Sequence, residues 1–196
     1  IRLNDEKKKR AYSALTVEDV ARLAGVELTE KVLKEIINTF LDDLKLYELD
    51  RPVEGAVETL NQLSADGVAI LYVTGRPGIK YINPFIEQMG FPRGPVYYER
   101  ISGEGATEIK KDLLKKALAE SGFESSEVVS IGDMPHDGVA SRCLNIYSIG
   151  TTQVSGISPE ELRAYFDEVI THIFSLPMII KRLDKGLNSS GLSLWL

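Results

Sequence analysis

The pattern that most constrains this chain is a series of short, β-branched, largely apolar runs separated by stretches with helical spacing. The longest is Val68-Ala69-Ile70-Leu71-Tyr72-Val73, followed by Val128-Val129-Ser130-Ile131 and Ile146-Tyr147-Ser148-Ile149, with a further extended stretch predicted over Ile170 to Phe174. Strands buried on both faces read as continuous apolar runs, whereas a half-exposed strand alternates. Runs of this kind with helices between them predict an α/β, doubly wound (Rossmann-like) parallel sheet with helices on both faces. The helices are expected around Ala56 to Leu63, Ile79 to Met89, Ile109 to Ser121, through the Ala140 and Leu144 region, and around Pro159 to Phe166.

The segment before Arg51-Pro52 has a different character. Thr16 precedes Val17, Val20, Leu23 and Ala24, with Asp19 three residues on, a capping-box-like start to a short helix that Gly25 ends. A second helix is expected from about Thr29, carrying Val32, Leu33, Ile36, Ile37, Phe40, Leu41 and Leu44 at helical spacing. The expected organisation is a helical cap region over 1–50, an α/β core over 51–176, and an amphipathic helix with a Ser/Gly-rich tail over 177–196.

With 196 residues the chain is long enough for one full domain and a small insertion. Its 23 Lys and Arg against 29 Asp and Glu give a net charge of -6, which supplies no broad positive field for nucleic acid or anionic membrane. No apolar run approaches the roughly 20 residues that span a bilayer. The single cysteine, Cys143, cannot form an intramolecular disulfide, so a reducing, cytoplasmic setting is expected. Its predicted helix places it among small and apolar residues, and packing is its expected role.

In an open α/β sheet the site lies beyond the carboxyl ends of the strands. After Val73 comes Thr74-Gly75-Arg76-Pro77, which offers a hydroxyl and uncrowded backbone amides to an anionic oxygen. After Ile131 comes Gly132-Asp133-Met134-Pro135-His136-Asp137, which offers two carboxylates to a hard cation such as Mg²⁺. Each has a plainer reading: Gly and Pro mark turns, and Asp often caps the helix that follows such a strand.

Together these residues resemble the haloacid dehalogenase-like (HAD) superfamily of phosphohydrolases. Thr74-Gly75-Arg76 is similar to its second motif, whose Thr holds a phosphate oxygen, and Gly132-Asp133 to Asp137 is similar to its fourth, whose acids hold Mg²⁺. The third motif is a Lys at the start of the preceding helix. Lys110 fits it, Lys111 is the alternative, and a solvated face is the plainer reading of Lys110, Lys111, Lys115 and Lys116. The resemblance implies a Mg²⁺-dependent phosphatase acting on a small phosphorylated substrate through an aspartyl-phosphate. Thr74, Gly75, Arg76 and Lys110 would bind phosphate, Thr74 and Lys110 would be catalytic, and Asp133 and Asp137 would serve the metal. His136 is expected at the rim and His172 in a structural role.

The family's first motif, DxDx[TV] after an apolar strand, has no counterpart. Asp5 follows too few apolar residues, Asp42-Asp43 sits in a helical pattern and Asp50 in a connector. The resemblance makes that strand central, and an empty slot would orphan buried backbone on both neighbours at roughly 1–3 kcal/mol per lost hydrogen bond. Two fillings are open. The nucleophile-bearing strand could precede Ile1, a non-Met start, or Leu192-Ser193-Leu194-Trp195-Leu196 could pair in the slot, in cis or from a second copy, which would make the tail a route to a homo-oligomer. A non-catalytic relative that binds a phosphorylated ligand or a protein partner is the alternative function.

Thr16 to Val26 also resembles the first helix and turn of lac-repressor-type DNA-binding domains. The helix after it is acidic at its start, with Glu27, Glu30 and Glu35 beside only Lys31 and Lys34, which argues against a recognition helix and against nucleic acid as a partner.

Overall fold

Six strands, all parallel, form one sheet in the order β2-β1-β6-β3-β4-β5. The computed structural model describes residues 21–22, 25–29, 31–32, 50–75, 79–99, 105–184 and 193–196. The strands are β1 (Ala69–Thr74), β2 (Val96–Tyr98), β3 (Val128–Gly132), β4 (Tyr147–Thr151), β5 (Glu168–Ile170) and β6 (Ser193–Trp195). The helices are α1 (Ala56–Ala65), α2 (Ile79–Gln88), α3 (Ala106–Ser121), α4 (Pro135–Cys143), the short α5 (Thr152–Ser155) and α6 (Pro159–Leu162), and α7 (Leu176–Asp184).

The side-chain period of two along a strand divides the core into two layers. Ile70 and Tyr72 of β1, Val129 and Ile131 of β3 and Leu194 of β6 face α1 and α7, meeting Leu60, Leu63, Leu176 and Ile179. Leu71, Val73, Val128 and Trp195 face the other way, onto Leu113, Leu114 and Ala117 of α3 and Ala140 of α4. Helices on both faces explain why these strands are apolar throughout rather than alternating.

Of the two fillings for the central slot, the sheet displays the second. Ser193, Leu194 and Trp195 lie opposite Ala69, Ile70 and Leu71 on one side, and opposite Val128, Val129 and Ser130 on the other. Leu196 continues the ladder, donating its N–H to the Leu71 carbonyl and accepting from the Val73 N–H. Trp195 is 1% exposed. The strand belongs to its own sheet, so residues 193–195 are not presented as a docking surface for a second copy.

Several expectations shift. β2 carried no signal beyond a three-residue apolar-aromatic stretch. α3 begins at Ala106 rather than Ile109, because Ala and Glu sustain a helix ahead of the first periodic apolar residue. The helix predicted over Pro159 to Phe166 stops at Leu162, since Leu162 and Phe166 both drop into a small cluster with Ile157 and the chain turns between them. The extended stretch falls earlier, at Glu168–Ile170, and Ile173–Ser175 is a 3₁₀ turn that leads into α7. Cys143 is exposed, not packed, because it ends α4 on the side away from Ala140 and Ser141.

The first predicted helix is met at Ala21 and Arg22 and closes at Gly25, whose φ of 71° is one that glycine adopts without strain. Thr29 Oγ1 accepts from the Val32 N–H at 3.3 Å, the capping expected at the second helix's start. The remaining residues of both helices lie outside the described residues. Among the described residues no helix is long and apolar enough to cross a membrane.

Candidate active site

The carboxyl ends of β1, β6 and β3 are adjacent, and the predicted site residues from three separate segments meet there. Thr74 ends β1 and Asp133 follows β3 directly. Lys110 comes from the first turns of α3, and Asp137 from the first turn of α4. Gly75 follows Thr74, while Arg76 lies outside the described residues.

Lys110 ties these segments together. Its Nζ donates to the Val73 carbonyl at 2.8 Å and lies 3.0 Å from Asp137 Oδ1. The side chains of the pair are 11% and 10% exposed, so this is a buried ion pair rather than the solvated lysine face. Of the four lysines on α3, Lys110 is the buried one. Lys111 instead pairs with Glu108 on its own helix, and Lys115 and Lys116 pair with neighbouring acids on the surface.

Asp137 is both helix cap and counter-charge. Its Oδ2 accepts from the Met134 N–H at 3.2 Å, reaching back over the first turn of α4 in the manner of a capping acid. Burial pushes its carboxyl up, but Lys110, His136 and the Met134 amide outweigh burial and hold it below the usual carboxylate range. Gly132 permits this arrangement: a Cβ there would lie 2.3 Å from Asp137 Cβ and 2.6 Å from Asp137 Oδ2. Only a residue without a side chain lets the start of α4 come this close to the end of β3.

Asp133 is in the opposite condition. Burial, then the nearby charge of Asp137, push its carboxyl above the usual range, and these outweigh its own backbone amide and the more distant Lys110 and His136. A carboxylate destabilised in this way is suited to a cation, which would reverse the penalty. His136 sits beside the two acids, its Nε2 3.8 Å from Asp137 Oδ1, and with a side chain 17% exposed it is more enclosed than a rim position. His172 stacks on Phe174 at 4.9 Å, away from these groups.

A cavity of about 410 Å³ opens at the ends of β1 and β3. Thr74, Asp133 and Thr151 line it on the strand side, Asp50 and Arg51 line it where the chain enters the core, and Leu196 forms part of its floor. The side toward α2 is apolar and aromatic, with Tyr81, Ile82 and Phe85. Arg51 and Asp50 were legible in the sequence only as a connector.

A parallel sheet with helices on both faces, and acids and a buried lysine gathered at the ends of its central strands, defines a Rossmann-like fold with a candidate site in the expected place. The family model for haloacid dehalogenase-like hydrolase matches residues 3–151, and the chain belongs to that family. Among solved structures, a predicted phosphatase from Clostridium acetobutylicum superposes with a TM-score of 0.71 at 18% identity, over 93% of this chain and 84% of that one. A hydrolase from Pseudomonas syringae gives 0.69 at 19% identity over 93% and 84%. A β-phosphoglucomutase from Clostridium difficile gives 0.62 at 12% identity over 95% and 84%. No curated protein matches the sequence.

Proposed function

We propose that the protein is a Mg²⁺-dependent phosphohydrolase acting on a small phosphorylated metabolite. The observation that carries this reading is that Thr74 and Asp133, from sequence-distant strand ends, line one cavity, while Lys110 from a third segment is anchored on both the Val73 carbonyl of β1 and Asp137. Family membership and the phosphatase and phosphoglucomutase neighbours support it.

In this reading the Thr74 hydroxyl and the Gly75 and Arg76 backbone receive phosphoryl oxygens, and the Lys110 ammonium places positive charge beside them. An aspartate carboxylate, as the family resemblance implies, attacks phosphorus. The P–O ester bond breaks, the alcohol leaves with a proton, and an aspartyl-phosphate remains. Water then adds to that phosphorus, releasing inorganic phosphate and regenerating the carboxylate.

Mg²⁺, when bound, would neutralise phosphoryl oxygens and the attacking carboxylate. Asp133 fits it, being half-buried with its carboxyl held above the usual range by burial and by the neighbouring Asp137. Asp137, already engaged by Lys110 and Met134, would orient the site and border the metal. Among the described residues no three acidic, His or Cys side chains gather as a metal-binding cluster. The cap region would exclude water and select the leaving group.

The test is hydrolysis of p-nitrophenyl phosphate by the full chain in the presence and absence of Mg²⁺. Asp133→Asn should abolish the Mg²⁺-dependent rate. Undiminished Mg²⁺-dependent hydrolysis in that variant would refute the role given to Asp133, and no hydrolysis by the parent would favour the alternative, a non-catalytic relative whose same rim binds a phosphorylated ligand.

A further inference from the structure

The cavity at the strand ends is divided in its chemistry. Thr74, Asp133 and Thr151 supply hydroxyl and carboxylate oxygens where β1, β3 and β4 stop, and Asp50 and Arg51 stand where the chain enters the core. The side toward α2 is different. Ile82, Phe85 and Ile86 line it, and their i, i+3, i+4 spacing puts them on one helix face, while Asn83 and Glu87 are exposed. After α2 the chain turns, the Phe91 N–H donating to the Ile86 carbonyl at 3.0 Å. The Phe91 ring thereby comes to a centroid distance of 6.1 Å from Phe85, within the range of an aromatic pair, and both rings line the cavity. The hydroxyls nearest this wall belong to Tyr72 and Tyr81, and neither is free. Tyr72 donates to the Pro92 carbonyl at 2.7 Å, and Tyr81 is engaged elsewhere.

Much of this lining is also protein core, which is its plainer role. Leu60 and Ile86 are buried in the layer that faces α1 and α7, and Ile82 and Phe91 pack against it. Phe85 departs from that pattern. It is half-buried and lines the cavity, yet among the described residues it belongs to none of the core clusters. An aromatic ring that walls a cavity without being used by the core is placed to meet what the cavity holds.

We propose that the protein acts on a phosphomonoester whose leaving group is an apolar, ring-bearing alcohol, and that Phe85 is the residue that selects it. The proposal rests on the phosphohydrolase reading for the phosphoryl end, which Thr74 and Asp133 receive. With phosphorus at the strand ends, the esterified alcohol extends toward α2. A hydrocarbon ring there exchanges water for Ile82, Phe85 and Phe91. A polyol there leaves hydroxyls without partners, each lowering affinity about tenfold. Selection of this kind acts on the leaving group before and during P–O cleavage alike, so it is read in KM rather than kcat.

The experiment compares esters of primary alcohols, so that leaving-group basicity does not decide the rate: phenethyl phosphate against glycerol phosphate and a hexose phosphate, with the full chain and Mg²⁺. The kcat/KM for phenethyl phosphate should exceed that for either polyol ester by about tenfold or more, carried by KM. Phe85→Ala should remove most of that advantage by raising KM for phenethyl phosphate, and Phe85→Leu, which keeps an apolar side chain, should retain part of it. Binding is read separately by calorimetry with phenylpropylphosphonate, whose P–C bond is not hydrolysed, against methylphosphonate. The aromatic phosphonate should bind about tenfold tighter, with a negative heat-capacity change, and Phe85→Ala should abolish the difference. An equal or lower kcat/KM for phenethyl phosphate, or an advantage that a folded Phe85→Ala variant keeps, overturns the proposal and leaves the phosphohydrolase reading standing. No hydrolysis of any ester, with the aromatic phosphonate still preferred, overturns the phosphohydrolase reading and upholds the ligand class. No hydrolysis and no preference between the phosphonates overturns both.

Discussion

Removing the Lys110 ammonium while keeping its aliphatic bulk, as in Lys110→Met, tests whether this lysine is part of the framework as well as the chemistry. The variant loses an ion pair at 3.0 Å to Asp137 and a hydrogen bond at 2.8 Å to the Val73 carbonyl, both screened from water. Breaking a buried pair from one side leaves the other charge uncompensated and typically costs about 3–5 kcal/mol. At roughly 2–4 °C per kcal/mol for a chain of this size, the expected fall in Tm is about 6–20 °C near neutral pH. Acid supplies the internal control. In the parent Asp137 is held below its ordinary pKa, so its contribution is present above the unfolded value of about 4 and is lost as pH falls through the lower, folded value. In the variant burial acts without Lys110, Asp137 protonates more readily, and its penalty disappears on acidification. The gap in Tm between parent and variant should therefore narrow as pH falls below about 4. Thermal melts across pH measure this directly. A loss under about 1 kcal/mol, the scale of an exposed pair, with no pH dependence would refute the buried-pair argument.

Three further outcomes follow from the same geometry. Gly132→Ala forces Asp137 and the start of α4 away from β3, at a cost of about 1–3 kcal/mol for overpacking, and should weaken phosphate binding measured by calorimetry while the far-ultraviolet spectrum stays native. Asp133→Asn should raise Tm at neutral pH. Its folded pKa is raised, so its contribution is present below the unfolded pKa and lost as pH rises through the folded one, and the gain should vanish in acid. Trp195→Ala should destabilise by about 3–5 kcal/mol in urea titrations. Trp195→Phe should be far milder, because it also removes an indole N–H that is buried with no hydrogen-bond partner among the described residues.

The parallel sheet was legible because each buried strand is a bounded apolar run and each site segment begins where such a run stops. Thr74, Asp133 and Asp137 could be read by that rule, and Lys110 only through the resemblance, with Lys111 as its alternative. The pairing of Asp137 with Lys110 could not be read, since it depends on α3 and α4 packing side by side across the sheet and on the space that Gly132 leaves. The placement of β6 was one of two fillings that sequence left open. Leu-Ser-Leu-Trp-Leu is compatible with any slot that buries both faces, and only the gap between β1 and β3 selects it. β2 escaped notice because three residues carry too little periodicity to be told from a loop.

The position of β6 also bears on how the molecule is made. Its partners on both sides, β1 and β3, are synthesised well before it, yet neither can complete its backbone pairing until residue 193 has been translated. A nascent chain holding the other five strands is a sheet in two halves, with two apolar edges facing a vacant groove. Contacts between segments so distant in sequence form slowly, and exposed edges invite pairing with other chains. Synthesis of this protein therefore passes through a stage in which the two unpaired strand edges flank the candidate site, and insertion of one short strand closes both.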